Sequence, residues 1–206
     1  MTIRLLLARA NGALASALTA DPMMRYIFPD PKERARMLPW LLGTGLRYSR
    51  LYGEVHVTSP ACEGVACWVA PAFTKKSAWR MFRAEMMSAP VRIGMGALRR
   101  FHRVVDLARR LHERTAPRAH WYLIQMGVRP EYRRRGFGQA LLTGMLNRID
   151  SEGIACYLET PNHANLPFYQ RHGFSAVESA QVAEDGPSLW AMVRPPSAAE
   201  PEPIDR

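Results

Sequence analysis

Apolar residues recur along the chain at two spacings, and the spacing changes where glycine or proline intervenes. Leu7, Ala10, Leu14 and Leu18 fall three or four apart, which predicts a helix over 7–20 that ends before Asp21-Pro22. Thr2 to Leu5 reads as a short strand ahead of it. Pro29-Asp30-Pro31 is a turn in which Asp30 caps a helix running from Pro31 towards Arg50, with Pro39 as a point for a kink. Runs of strand length follow at Glu54–Thr58 and Gly64–Ala70, joined by Ser59–Glu63 as a hairpin loop. Residues 73–88 and 91–114 read as helices parted near Pro90, the second with an apolar stripe of Leu98, Phe101, Val105, Ala108 and His112. A strand over 120–128 leads through a glycine-bearing loop to a helix that reaches Glu152 and closes at Gly153. Ile154–Thr160 is the next strand, and Asn165-Leu166-Pro167 opens a short helix through His172, closed by Gly173. Phe174–Val177 and Leu189–Val193 complete the strands. Residues 195–206, with Pro195, Pro196, Pro201 and Pro203, read as a disordered tail. The pattern contains no internal repeat.

Composition narrows the class. A chain of 206 residues, 48% hydrophobic and 22% charged, is large enough for a core of its own and is most simply one globular domain. The formal net charge of +10 calls for polyanionic company, whether nucleic acid, a membrane surface or a phosphate-rich ligand, or else a solvated basic surface. Much of the excess lies in 92–118, where Arg92, Arg99, Arg100, Arg103, Arg109, Arg110, Arg114 and Arg118 face only Asp106 and Glu113. Cys62, Cys67 and Cys156 have no zinc-ligand spacing and sit in apolar company, which suits buried thiols in a reducing compartment. Arg9 and Asn11 interrupt the first apolar run, so it forms no continuous signal core. No stretch approaches the ~20 apolar residues of a membrane span. The expected location is cytoplasmic, with no membrane partner.

The chemistry is concentrated at Arg133-Arg134-Arg135-Gly136-Phe137-Gly138. The loop follows Trp121–Val128 and precedes the helical pattern beginning at Gln139. Backbone N–H groups at a helix start have no intrahelical acceptor, and the helix dipole adds positive potential there. Glycine lets the loop turn tightly and an anion approach the main chain. A phosphorylated ligand is therefore expected against residues 133–138, with the N–H groups of 134–139, Gln139 included, as donors.

These residues carry a resemblance. Val128-Arg129-Pro130 followed by Arg133, Gly136 and Gly138 resembles the acyl-CoA-binding motif of the GNAT superfamily of N-acetyltransferases, Arg or Gln, two residues, Gly, one residue, Gly or Ala. Leu158-Glu159-Thr160, Asn165-Leu166-Pro167-Phe168-Tyr169 and His172-Gly173-Phe174 are similar to the C-terminal half of that fold. Asp21–Pro31 and Cys67-Trp68-Val69-Ala70-Pro71 are similar to the branch that includes puromycin N-acetyltransferase. The likeness spans roughly residues 20–194. It implies an α/β (α+β) fold, a mixed and mostly antiparallel sheet with splayed central parallel strands and flanking helices, in one domain over 1–194. The family's first strand has no clear counterpart here, and the helical region 73–118 carries no family motif and is expected to frame the acceptor pocket.

What the resemblance implies chemically is transfer of an acetyl group from acetyl-CoA to a primary amine of a small molecule or peptide, by direct attack in a ternary complex. The donor's diphosphate falls to the 133–139 cradle and its pantetheine arm to the gap beside Gln125–Val128. Gly127 is expected to mark a bulge, since a strand glycine often does, and a main-chain N–H near Met126, Gly127 or Val128 to stabilise the oxyanion. Tyr169 matches the family's tyrosine acid; a phenol of intrinsic pKa ~10 is protonated at neutral pH and can donate to the leaving thiolate. Its alternative role is that of a buried aromatic holding the short helix to the sheet. Asn165 is read both as a helix cap and, by resemblance, as a neighbour of the CoA arm. Glu159, at a strand end beside the thioester, and His120, placed by alternation on the face of Tyr122, Ile124, Met126 and Val128, are the two candidate bases; each is equally a structural hydrogen-bonder. His163 and His172 read as surface or capping groups. No metal is implied. Two other functions stay open, a module that senses acyl-CoA without turnover and a nucleic-acid binder acting through 91–114, though no nucleic-acid module is recognisable. The oligomeric state, monomer or homodimer, is also open.

Overall fold

The computed structural model describes residues 2–75, 78–84 and 92–196. The strand expected over Thr2–Leu5 is instead the first turn of α1 (Ile3–Leu18). Leu5-Leu6-Leu7-Ala8-Arg9-Ala10 are strong helix formers, and the N–H groups of Leu5 and Leu6 both donate to the Thr2 carbonyl. Asp21-Pro22 ends α1 but also opens a helix the periodicity is too short to reveal, α2 (Pro22–Ile27), with Pro22 at its first position. Asp30 caps α3 (Pro31–Tyr52), whose assignment continues through Pro39.

A hairpin follows, β1 (Gly53–Val57) and β2 (Gly64–Val69). After α4 (Ala78–Arg83), α5 (Met95–Thr115) begins four residues later than the sequence suggests, at the Gly94 cap. The parting near Pro90 and residues 85–88 of the preceding helix lie outside the described residues, as does 197–206 of the expected tail. Of the stripe expected on α5, Leu98, Phe101 and Ala108 pack against the core, while Val105 is 45% exposed and Val104 takes its place beside the buried Ala97, Leu107 and Leu111. The remaining elements are β3 (His120–Val128), α6 (Phe137–Ser151), β4 (Ala155–Thr160), α7 (Leu166–Gln170), β5 (Ser175–Gln181) and β6 (Ser188–Arg194). Among the described residues no helix is long and apolar enough to cross a membrane.

The six strands form one sheet in the order β1-β2-β3-β4-β6-β5. Only β3 and β4 run parallel; the other neighbours are antiparallel. β1 and β5 are the two edges of the sheet. Helices cover both faces, which is why β2 is buried throughout and reads as a continuous apolar run. On one face Leu141, Leu142, Met145 and Ile149 of α6 pack on Trp68, Trp121, Leu123 and Leu158. On the other, Ala10, Ala13 and Leu14 of α1 with Leu38, Leu42 and Leu46 of α3 cover Val65 and Cys67. Next to them, α2 and α5 cover Tyr122 and Tyr157.

Two features of β3 set the site. It pairs with β4 only from His120 to Leu123, and beyond that it pairs only with β2, leaving its other edge open. The register against β2 also slips by one residue, Cys67 opposite Gln125 but Trp68 opposite Leu123, so Ile124 is the bulged residue. Gly127 is not the bulge; it pairs regularly with Val65. Because strand side chains alternate, one extra residue exchanges the faces of everything after it. His120, Tyr122 and Ile124 lie towards α2, α3 and α5, whereas Met126 and Val128 turn to the α6 face. The expected single face from His120 to Val128 is thereby divided.

Candidate functional site

The gap between β3 and β4 opens onto the N-terminus of α6. Arg129 N–H donates to Glu63 O at 2.8 Å, and a turn of 3-10 helix over Pro130–Tyr132 swings the chain round. Arg134 (φ 60°) and Gly136 (φ 83°) then adopt left-handed conformations that reverse the loop into the helix. Gly136 stands at the cap position and supplies no side chain, so the first N–H groups of α6 receive no side-chain cap. These N–H groups and the helix dipole give the α6 start a positive potential.

A cleft of about 550 Å³ lies here. Its walls bring together Met126, Gly127 and Val128 from β3, Arg133, Arg134, Gly136, Gly138 and Gln139 from the loop and α6, and Asn165 and Tyr169 beside α7. Arg135 and Phe137 are not on its walls. The Arg135 guanidinium lies 5.6 Å from the Tyr132 ring, and the Phe137 ring meets Tyr132 edge-on at 5.9 Å. Arg133 turns inward, its Nη2 donating to Ala17 O at 2.7 Å and its Nε to Val128 O at 3.3 Å, which ties the loop to the end of α1. Close contacts explain the two glycines on the walls. A Cβ on Gly127 would lie 2.6 Å from Ala17 Cβ, and one on Gly138 3.3 Å from Phe168 Cζ.

Tyr169 is buried against Phe168 and Phe174 at ring distances of 5.2 and 5.9 Å. Burial raises its phenol above the ordinary range, and the charges of Asp21 and Cys156 add to the shift, so it stays protonated at neutral pH. Asn165 stands at the N-cap position of α7, but its side chain makes no capping bond. Asn162 accepts from Ala164 N–H at 3.1 Å, while Asn165 donates from Nδ2 to Thr160 Oγ1 at 3.2 Å at the end of β4. His172 Nδ1 bonds Phe168 O at 2.8 Å, and the His163 ring lies 5.5 Å from Trp190.

The two candidate bases are not among the residues lining this cleft. Tyr122 donates its hydroxyl to Glu159 Oε2 at 2.5 Å. Burial, and then the Glu159 charge, raise the phenols of both Tyr122 and Tyr157. His120 Nδ1 donates to Pro117 O at 2.6 Å, and its Nε2 faces His112 Nε2 at 2.9 Å, so one ring of the pair must present a bare nitrogen. Burial lowers the His120 pKa. Sequence reasoning missed Ala17, Leu18 and Asp21 as wall residues. Nothing in the spacing of α1 announces that its end meets β3; Asp21-Pro22 signals a cap, and the cap happens to face the cleft.

A mixed sheet splayed at its one parallel pair, with an uncapped helix start at the opening, leaves main-chain donors and a strand edge exposed to one cleft. Residues 85–174 match the Acetyltransferase (GNAT) family. A Schizosaccharomyces pombe protein described as an uncharacterised N-acetyltransferase is 26% identical over 197 residues, covering 91% of this chain and 79% of its own. The crystal structure of a Corynebacterium glutamicum protein described as histone acetyltransferase HPA2 and related acetyltransferase superposes with a TM-score of 0.61 at 23% identity, covering 98% of this chain and 96% of that one. The matched segment runs through β3, the glycine loop, α6, β4 and α7, and over it the chain is similar to the acetyl-CoA-dependent N-acetyltransferases of the GNAT family.

Proposed function

We propose that the chain transfers the acetyl group to a primary amine of a small molecule or peptide by direct attack in a ternary complex. The observation that carries this reading is the open edge of β3 from Ile124 to Val128, which leads from the α6 N-terminus to Tyr169. In this reading the main-chain N–H groups of the 134–139 turn hold the donor's diphosphate, with Arg134 adding charge. The arm lies along Met126–Val128, where an N–H of the open edge stabilises the oxyanion. Asn165 borders the arm, and Tyr169 protonates the departing thiolate. Arg133 holds the loop against α1. Glu159 and His120 are better read as the polar anchor of the opposite face, since their hydrogen bonds are made to Tyr122, Pro117 and His112. The segments resembling the puromycin N-acetyltransferase branch support a small-molecule acceptor without naming one.

Calorimetry on folded protein tests the donor site, with saturable heat expected for both CoA and acetyl-CoA; no heat with either overturns the reading. Tyr169→Phe tests the acid. Thiol release from acetyl-CoA over an amine library should fall on the order of 10²-fold while donor affinity persists. Unchanged turnover would remove Tyr169 from that role.

A further inference from the structure

We propose that Asp21 receives the ammonium group of the acceptor amine in this cleft and takes its proton. The inference rests on the acetyl-transfer reading above and gives it both a base and a class of acceptor, an amine that arrives as a cation. Asp21 is the one acidic residue on the cleft walls among the described residues, where Arg133, Arg134 and Arg171 also stand. A carboxylate repels a phosphate-bearing donor, so its place on that wall suits the other substrate.

Its two oxygens are divided. Oδ1 accepts the N–H groups of both Met23, at 2.9 Å, and Met24, at 3.3 Å. Oδ2 has no hydrogen bond among the described residues. Capping α2 does not require a charge, since Asn or Ser caps as well as Asp. The carboxyl shares the wall with Gly127, on the open edge of β3, and with Tyr169. Burial lifts its pKa to about 6, against the opposing pull of the two backbone hydrogen bonds, which suits a base working near neutral pH. The titratable and charged groups around it are the phenol of Tyr169 on α7, Arg133 and Arg134 from the loop, and Arg171 after α7. At the far end of α2, Arg100 of α5 donates to Ile27 O, and Arg34 of α3 donates to Phe28 O and Pro29 O.

The protons balance. The ammonium gives one proton to Oδ2, and the neutral amine attacks the thioester carbon. As the C–N bond forms and the C–S bond breaks, Tyr169 protonates the sulfur, and the proton lost by the attacking nitrogen restores the phenol. Asp21 then releases its proton to solvent, so each turnover yields one amide, one thiol and one proton.

The test uses the full chain with 13C-labelled aspartate carboxyls, assigning the Asp21 signal by its loss in Asp21→Asn. With CoA bound, n-butylammonium should shift that signal saturably and n-butanol should not. In parallel, acetyl-CoA thiol release with n-butylamine should fall on the order of 10²-fold in Asp21→Asn and lose its dependence on pH near 6. Release with aniline, already neutral, should change far less. An Asp21 signal unmoved by n-butylammonium, or Asp21→Asn turnover with the wild-type pH profile, overturns the proposal. If calorimetry shows acetyl-CoA bound in that same sample, the failure belongs to Asp21 and not to the donor site.

Discussion

Asp21 carries a carboxylate where an uncharged capping side chain would do, and the difference is measurable in stability. Its folded pKa is raised from 3.8 to about 6, so the folded state binds this proton more readily than the unfolded chain. The stability tied to it is fully present below the unfolded pKa and is lost as pH rises through about 6. At one pKa unit per ~1.4 kcal/mol, the loss by neutral pH is about 1–3 kcal/mol. Asp21→Asn keeps the cap and discards the charge. Thermal melts should therefore place the variant several degrees above the wild type at about pH 7.5, with the gap closing as pH falls towards about 4. A wild type more stable than the variant at neutral pH would mean that the fold welcomes the charge.

At the scale of elements, the site depends on how closely α1 lies over β3. Ala10, Ala13 and Ala17 keep that face of α1 thin, and Gly127 offers no Cβ at the contact. A methyl there would stand 2.6 Å from Ala17 Cβ, inside any real carbon contact, and both are on short, inflexible attachments. Gly127→Ala is expected to cost about 1–3 kcal/mol by overpacking, read from denaturant midpoints. If the 133–138 loop holds the donor as proposed, the substitution should also weaken acetyl-CoA binding, because Arg133 ties that loop to Ala17 O. Ala17→Gly in the same chain vacates the clashing carbon and should return much of both losses. Simple additivity of the two substitutions would show that the contact does not govern the cleft. This contact also marks where reading the sequence stopped. Periodicity located β2, β3, α6 and β4 to within a residue or two, and the tight turn into α6 followed from local chemistry at Gly136. The bulge at Ile124 changes no composition, so the faces of Met126 and Val128 came out reversed. Gly127 suggested a bulge because its true neighbour, Ala17, is distant in the chain. The edge strand β5 extends to Gln181, beyond the Val177 the sequence suggested, because an exposed edge strand carries polar residues that read as loop.

Across the whole molecule the net charge of +10 already counts every acid against a base, so what the ion pairs change is where the charge sits. On α5, Arg109 binds Asp106 at 2.7 Å and Glu113 at 2.8 Å, Arg110 binds Asp106, and Arg114 reaches Glu178 on β5 at 2.5 Å. Arg109, Arg110 and Arg114 are thus held by neighbours within the helix or on the sheet edge. The cleft is a different kind of cation. In the proposed reading its donors are main-chain N–H groups at the α6 start together with Arg134, on the cleft wall. These two arrangements respond differently to salt. Exposed charges more than a Debye length apart, about 10 Å at 0.1 M, are screened, and nucleic-acid affinity falls steeply through counterion release. Short hydrogen bonds in a partly enclosed cleft are screened far less. Raising the salt from about 0.1 M to about 0.5 M should therefore weaken acetyl-CoA binding only a few-fold by calorimetry, while any retention on a DNA column is abolished. If donor binding instead collapses with the nucleic-acid slope, the phosphates are held by loose arginine side chains, and the main-chain cradle is not what grips the donor.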